Sequence, residues 1–154
     1  MISNSSYGAL IIAFIILLAF ILLNSCKTSD KIPDDYQKRM VHFGGGGGFT
    51  GQSNEFCLLE NGSLFNINKA KKEHTYKMKL KKKQSQEIFK KIDQLALLNL
   101  DYNEPGNMYK FIKIEEDGQE PTKLVWGNPS MPVDPSLDSL YAELISLTQT
   151  SEKK

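Results

Sequence analysis

Fifteen consecutive apolar residues, Ala9 to Leu23, lie within an opening stretch of 26 residues that carries no charged side chain. A helix over the apolar run reaches about 22 Å at 1.5 Å per residue. That is short of the roughly 30 Å hydrocarbon core of a bilayer. The run therefore reads as the apolar stretch of a secretory signal rather than as a membrane span. It divides the chain in two. All 19 basic and 18 acidic residues, net +1, fall after it.

The run ends in Leu23-Asn24-Ser25-Cys26. These residues resemble the lipobox of bacterial envelope lipoproteins, with Leu23 and Ser25 at the matching positions and Asn24 between them. The resemblance implies cleavage before Cys26, lipid on that Cys, and anchoring to the cell envelope with the rest of the chain outside the cytoplasm. Several acyl chains together hold firmly, since each buried CH₂ contributes about 0.8 kcal/mol. Lys27, Lys31, Lys38 and Arg39 follow the run, so an uncleaved anchor is the alternative, with the domain on the cytoplasmic side. A conventional cleaved signal is a third. On the lipoprotein reading, 1–25 is the signal peptide, 26–38 a polar tether, 39–149 one domain and 150–154 a polar tail.

Near-neutral charge excludes a general nucleic-acid binder, which needs a net basic surface. The basic residues are 18 Lys and Arg39 alone, which excludes a multi-arginine site of the kind that grips phosphate bidentately. His42, His74 and one remaining cysteine, Cys57, form no metal-ligand spacing, and no cofactor is implied. Cys57 lies in an apolar strand-like run and reads as a buried thiol; a Cys26–Cys57 disulfide competes with both cysteine readings.

About 110 residues remain for one core. Met40 to Phe43 is a short apolar run ending at the glycines, and 54–59 and 64–68 are strands around the hairpin signal Asn61-Gly62. Over His74 to Lys81 the pattern alternates, putting Tyr76, Met78 and Leu80 on one face and Lys77, Lys79 and Lys81 on the other. Ser85 reads as a helix N-cap with Glu87 in the first turn. Ile88, Phe89, Ile92, Leu95 and Ala96 form the apolar stripe. Strands over 108–115 and 122–126 follow, then a helix capped by Asp134 or Ser136, with Leu137, Leu140, Tyr141, Leu144 and Ile145 inward. The order predicts α+β: an antiparallel sheet of about five or six strands with both helices on one face. The glycine segment, the hairpin, the helix and the Trp126-Gly127 strand together resemble uncharacterised secreted bacterial domains. That resemblance implies no activity and no site residues.

Five glycines, Gly44 to Gly48, precede Phe49-Thr50-Gly51-Gln52-Ser53. Gly46, Gly48 and Gly51 spell a phosphate-loop pattern, but the chemistry needs a helix directly after it. Here a strand follows, and Gln52 stands where a Walker lysine belongs. The segment reads instead as a mobile or tightly turned loop, with a partner-docking loop around Gly44, Gly46, Gly48, Phe49 and Gly51 as the functional alternative. Residues 69–91 hold ten Lys and two Glu. Their Lys77/Lys79/Lys81 face suits an anionic lipid surface or an acidic envelope protein, or simply solvent. Trp126 reads as core.

The function expected is a membrane-anchored envelope lipoprotein with a small binding or structural domain. The alternatives are a minor envelope hydrolase using His42 or His74, and a protein inhibitor. A histidine in a cleft beside Ser, Cys57 or a carboxylate would mark the hydrolase; histidines pointing into solvent would remove it.

Overall fold

Seven strands and two α-helices close on one another in a computed structural model, which describes residues 31–49 and 51–149. The strands are β1 (Met40–Gly47), β2 (Ser53–Leu59), β3 (Ser63–Asn68), β4 (Glu73–Lys79), β5 (Asn103–Glu104), β6 (Met108–Glu115) and β7 (Thr122–Trp126). They make one seven-stranded sheet in the order β4-β3-β2-β1-β6-β7-β5. Every pairing is antiparallel except the two-residue β5 against β7. The fold is α+β, as expected. The additional strand is β5, too short to leave a pattern in the sequence.

Helices α1 (Lys82–Gln94) and α2 (Pro135–Gln149) cover one face. Val41, Phe43, Leu58, Leu64, Ile112, Ile114, Leu124 and Trp126 meet Ile88, Phe89, Ile92, Leu137, Leu140 and Leu144 there, all buried. Trp126 is thus part of the core. Asp134 caps α2, its Oδ1 accepting from the Ser136 amide at 2.7 Å. That bond holds the Asp134 carboxyl below its ordinary range.

Three details depart from the sequence reading. Helix α1 starts at Lys82, with Lys81 as an N-cap that makes no side-chain bond and no acid in the first turn. Ser85 is instead inside the helix and buried, its hydroxyl donating to the Glu60 carbonyl at 2.8 Å. It ties α1 to the β2–β3 hairpin. Ala96, expected on the stripe, ends the helix in a left-handed conformation and is exposed.

The third departure is a bulge in β4. Leu64 pairs with Met78, but the next residue, Phe65, pairs with Tyr76. Lys77 is the extra residue, and one insertion reverses the alternation beyond it. Met78 therefore packs on the helix side while Tyr76 packs on the opposite face. Lys79, opposite Ser63, shares that second face with Tyr76, and Lys81 lies past the strand at the helix cap. The three lysines do not form one strand face.

The second face has its own small core: Cys57, Leu59 and Phe65, with Met40, Ile67 and Tyr76 around them. Ile32 and Tyr36 pack against the same cluster. The described end of the expected tether is thus a strap laid on the sheet. The Tyr36 hydroxyl accepts from the Asn61 amide at 3.2 Å. Burial, acting first, raises the Tyr36 hydroxyl above its ordinary range.

Candidate functional site

Glycine has poor strand propensity and the largest ordering entropy, which is why the sequence reads as a loop after Phe43. The structure corrects this. Gly44 to Gly47 are the second half of β1, the middle strand of the sheet, with β2 on one side and β6 on the other. Both neighbours supply hydrogen bonds, and these override local preference. Only Gly48 and Gly51 lie in the turn; both take positive φ.

Glycine is required there by close approach. A Cβ on Gly44 would lie 2.0 Å from the Asn54 carbonyl oxygen, and one on Gly47 2.1 Å from that of Asn107, where φ is also +99°. Across the same end of the sheet, a Cβ on Gly127 would meet the Met108 oxygen at 2.1 Å. The strands are thus drawn together at one end and leave a floor of bare backbone.

Above that floor a groove of about 1170 Å³ runs between the sheet, α2 and the loop after β7. Gly45, Gly47 and Gly127 belong to its floor; Asn54, Phe56, Tyr141, Ile145 and Thr148 to its sides; Met108, Met131 and Pro129 to its rim. Met108 and Met131 are exposed. Phe49, at the tip of the adjoining β1–β2 turn, is wholly exposed at 107%. Apolar side chains on a rim above a polar-backbone floor suit binding rather than core packing.

One wall is a linked polar and aromatic set. Asp138 Oδ1 accepts from Lys110 Nζ at 2.6 Å and from the Trp126 indole at 3.1 Å. Lys110 Nζ lies 5.3 Å from the Tyr141 ring centroid. Trp126 and Tyr141 meet edge to face, centroids 5.3 Å apart. The Lys110 hydrogen bond, with help from the indole, holds the Asp138 carboxyl below its ordinary range despite some burial. Burial first, then the Asp138 charge, raises the Tyr141 hydroxyl. A cation, an anion and two rings thus meet in one linked set.

Of the residues singled out from the sequence, the structure brings Gly44 and Gly46 to the groove and Gly48 and Phe49 to its end. Lys77, Lys79 and Lys81 lie at the opposite end of the sheet. Cys26 lies outside the described residues. Sequence reasoning missed Lys110, Tyr141, Asp138 and Asn54. Asp138 and Tyr141 stand three apart on α2, one helical turn, but nothing in that spacing marks a groove wall.

On the second face, His42 and Cys57 are direct cross-strand partners. His42 Nδ1 lies 2.9 Å from Glu55 Oε1, and Nε2 lies 3.6 Å from Cys57 Sγ and 3.7 Å from Glu115 Oε1. Lys69 pairs with the other Glu55 oxygen and Lys113 with Glu115. Burial would raise the Glu55 carboxyl, but the bonds and charges of His42 and Lys69 outweigh it and hold it at about 2. This is the order of groups in a cysteine–histidine–carboxylate triad. However, Cys57 is 0% exposed, and burial, then the charges of Glu115 and Glu55, pushes its thiol up. A nucleophile must be a thiolate that substrate can reach. Glu55 and Lys69 line a pocket of about 390 Å³ beside β2 and β3, but His42 and Cys57 are not part of its lining, and His74 is exposed.

Among the described residues no group of three His, Cys, Asp or Glu is placed to hold a metal ion. No described helix is long and apolar enough to cross a membrane. No protein-family model matches the chain, and no curated protein matches it.

Proposed function

We propose that this chain is a membrane-anchored lipoprotein of the bacterial cell envelope, held by lipid on Cys26, whose small domain binds an envelope protein partner in the glycine-floored groove. The observation that carries the binding role is the groove's chemistry. Its described lining contains no histidine or cysteine, and its acid, Asp138, is occupied by Lys110 and Trp126. General acid–base or nucleophilic work needs such groups free and facing substrate. Backbone, Asn54 and apolar rim residues can bind without reacting. The lipobox-like Leu23-Asn24-Ser25-Cys26 supports the anchor.

Two experiments test the proposal. Cys26→Ser should abolish incorporation of labelled fatty acid and leave an uncut precursor; a parent chain that takes up no label sinks the anchor. For the groove, a photo-crosslinking residue at Met108 should give one dominant envelope adduct, lost when Met131→Arg is added at the rim. The same residue at Gln119, far from the groove, should give none. Equal adducts at 108 and 119 would remove the binding role.

The hydrolase reading keeps one observation in its favour, the His42–Cys57–Glu55 arrangement. It requires Cys57 to be reactive in the native chain. Native alkylation of Cys57 no faster than global unfolding would eliminate it.

A further inference from the structure

The sheet has two ends, and the chain's charges are not shared between them evenly. The basic stretch 69–91 is split by the fold. Lys69, Lys71 and Lys72 lie at the β3–β4 turn, on the glycine end, where Lys69 is paired with Glu55. Lys77, Lys79, Lys81, Lys82 and Lys83 gather at the other end, where β4 runs into α1. None of these five forms an ion pair among the described residues; Lys79 donates to two neutral oxygens, Asn61 Oδ1 at 3.1 Å and Ser63 Oγ at 3.0 Å. Three exposed acids sit nearby, Asp34 and Asp35 just before Tyr36 in the strap and Glu87 one turn along α1 from Lys83, so the five lysines keep a net basic balance. Glu60 and Asp93 are taken by Arg39. Glu116 and Asp117 lie in the β6–β7 turn at the same end, four strand positions across the sheet from β4, about 19 Å away at 4.8 Å per strand.

The strap enters at this same corner. Asn61 joins the two: its amide donates to the Tyr36 hydroxyl while its side-chain oxygen accepts from Lys79. Between Cys26 and Lys31 the chain reaches at most about 17 Å. A lipid on Cys26 would therefore keep the basic corner near the bilayer, free to settle within the Debye length of about 8 Å over which headgroup charge attracts it.

Resting on the anchor proposed above, we infer that the Lys77–Lys83 corner is the membrane-docking surface. It seats on anionic headgroups, tilts the acidic β6–β7 turn away, and presents the groove on the side turned from the membrane. The groove lies diagonally opposite: a β1 length from the corner along the strands, and on the β6–β7 side of the sheet. Anchor reach and charge thus select one orientation, and it leaves the Phe49 tip free.

The test uses the full lipidated chain in vesicles of phosphatidylcholine, with or without phosphatidylglycerol, with a fluorophore placed through Gln84→Cys or Phe49→Cys and a headgroup-level quencher in the lipid. With phosphatidylglycerol, the probe at 84 should be quenched and the probe at 49 should not. Lys81→Glu, Lys82→Glu and Lys83→Glu together should abolish quenching at 84. The uncut Cys26→Ser chain should bind anionic vesicles more tightly than neutral ones, an excess that falls about fivefold for each of these lysines replaced by Gln. Quenching at 49, or equal quenching at 84 without phosphatidylglycerol, overturns the inference while leaving the anchor intact. Anionic-vesicle binding by a parent chain, Cys26 intact, that takes up no fatty acid would sink the anchor and keep the surface. Binding to poly-glutamate but not to vesicles would overturn the membrane in favour of an acidic protein.

Discussion

The two halves of β1 share one ladder of hydrogen bonds and differ in everything side chains supply. Met40 to Phe43 sends Val41 and Phe43, both 0% exposed, into the helix-covered core, and His42 to the opposite face. Gly44 to Gly47 sends nothing to either face. Where side chains exist, α1 and α2 lie close over the sheet. Where they stop, the sheet opens as a groove. The core half gains from burial, about 25 cal/mol per Å² of apolar surface. The glycine half forgoes that gain and pays backbone entropy as well. The comparison teaches that a groove can be made by subtraction, by removing side chains from a strand whose neighbours still hold it in place.

The comparison can be broken most forcefully from the core half. Phe43→Ala should cost about 3–5 kcal/mol by denaturant unfolding, since it empties a fully buried position. On the glycine half, Gly47→Ala should cost roughly 2–3 kcal/mol although it adds a methyl group, because φ is +99° and a backbone oxygen occupies the space. A Gly47→Ala chain of unchanged stability would show that the glycines are optional.

The face opposite the groove sharpens the contrast through pH. Glu55 is held at about 2 against an ordinary 4.5. The folded value is depressed, so its stabilisation is complete above about 4.5 and is lost as pH falls toward 2. A loss on the order of 2 kcal/mol between those values is expected in acid unfolding curves, and Glu55→Gln should flatten it. The smallest effect belongs to Phe49→Ala: a wholly exposed ring should change stability by less than about 0.5 kcal/mol. A large destabilisation there would mean that the tip packs on something in the folded chain.

Much of the fold was legible. Asn61-Gly62 between apolar runs marked the hairpin, the Ile88–Ile92 spacing marked α1, and strands followed by helices marked α+β. The misses share one cause: partners remote in sequence. Gly44 to Gly47 became strand because Ser53–Glu55 and Met108–Phe111 hold them. Ser85 left its cap role because Glu60, distant along the chain, offered a carbonyl. The bulge at Lys77 is invisible in a run that alternates cleanly; it depends on which residues β3 sets against Tyr76 and Met78. Of the site, the glycines were noticed and misplaced, whereas Lys110, Asp138 and Tyr141 give no signal until α2 lies beside β6.

The placement of β1 also has a consequence for how the chain is completed. Its glycine half has little tendency to extend alone, and one of its two neighbours, β6, is synthesised more than 60 residues later. Loop closure over that length must precede the reward of pairing. The β2–β3–β4 meander can form locally and early, but the sheet cannot close until residue 115 is present. A chain exported N-terminus first would thus stay unlocked through most of its passage and fasten only near the end.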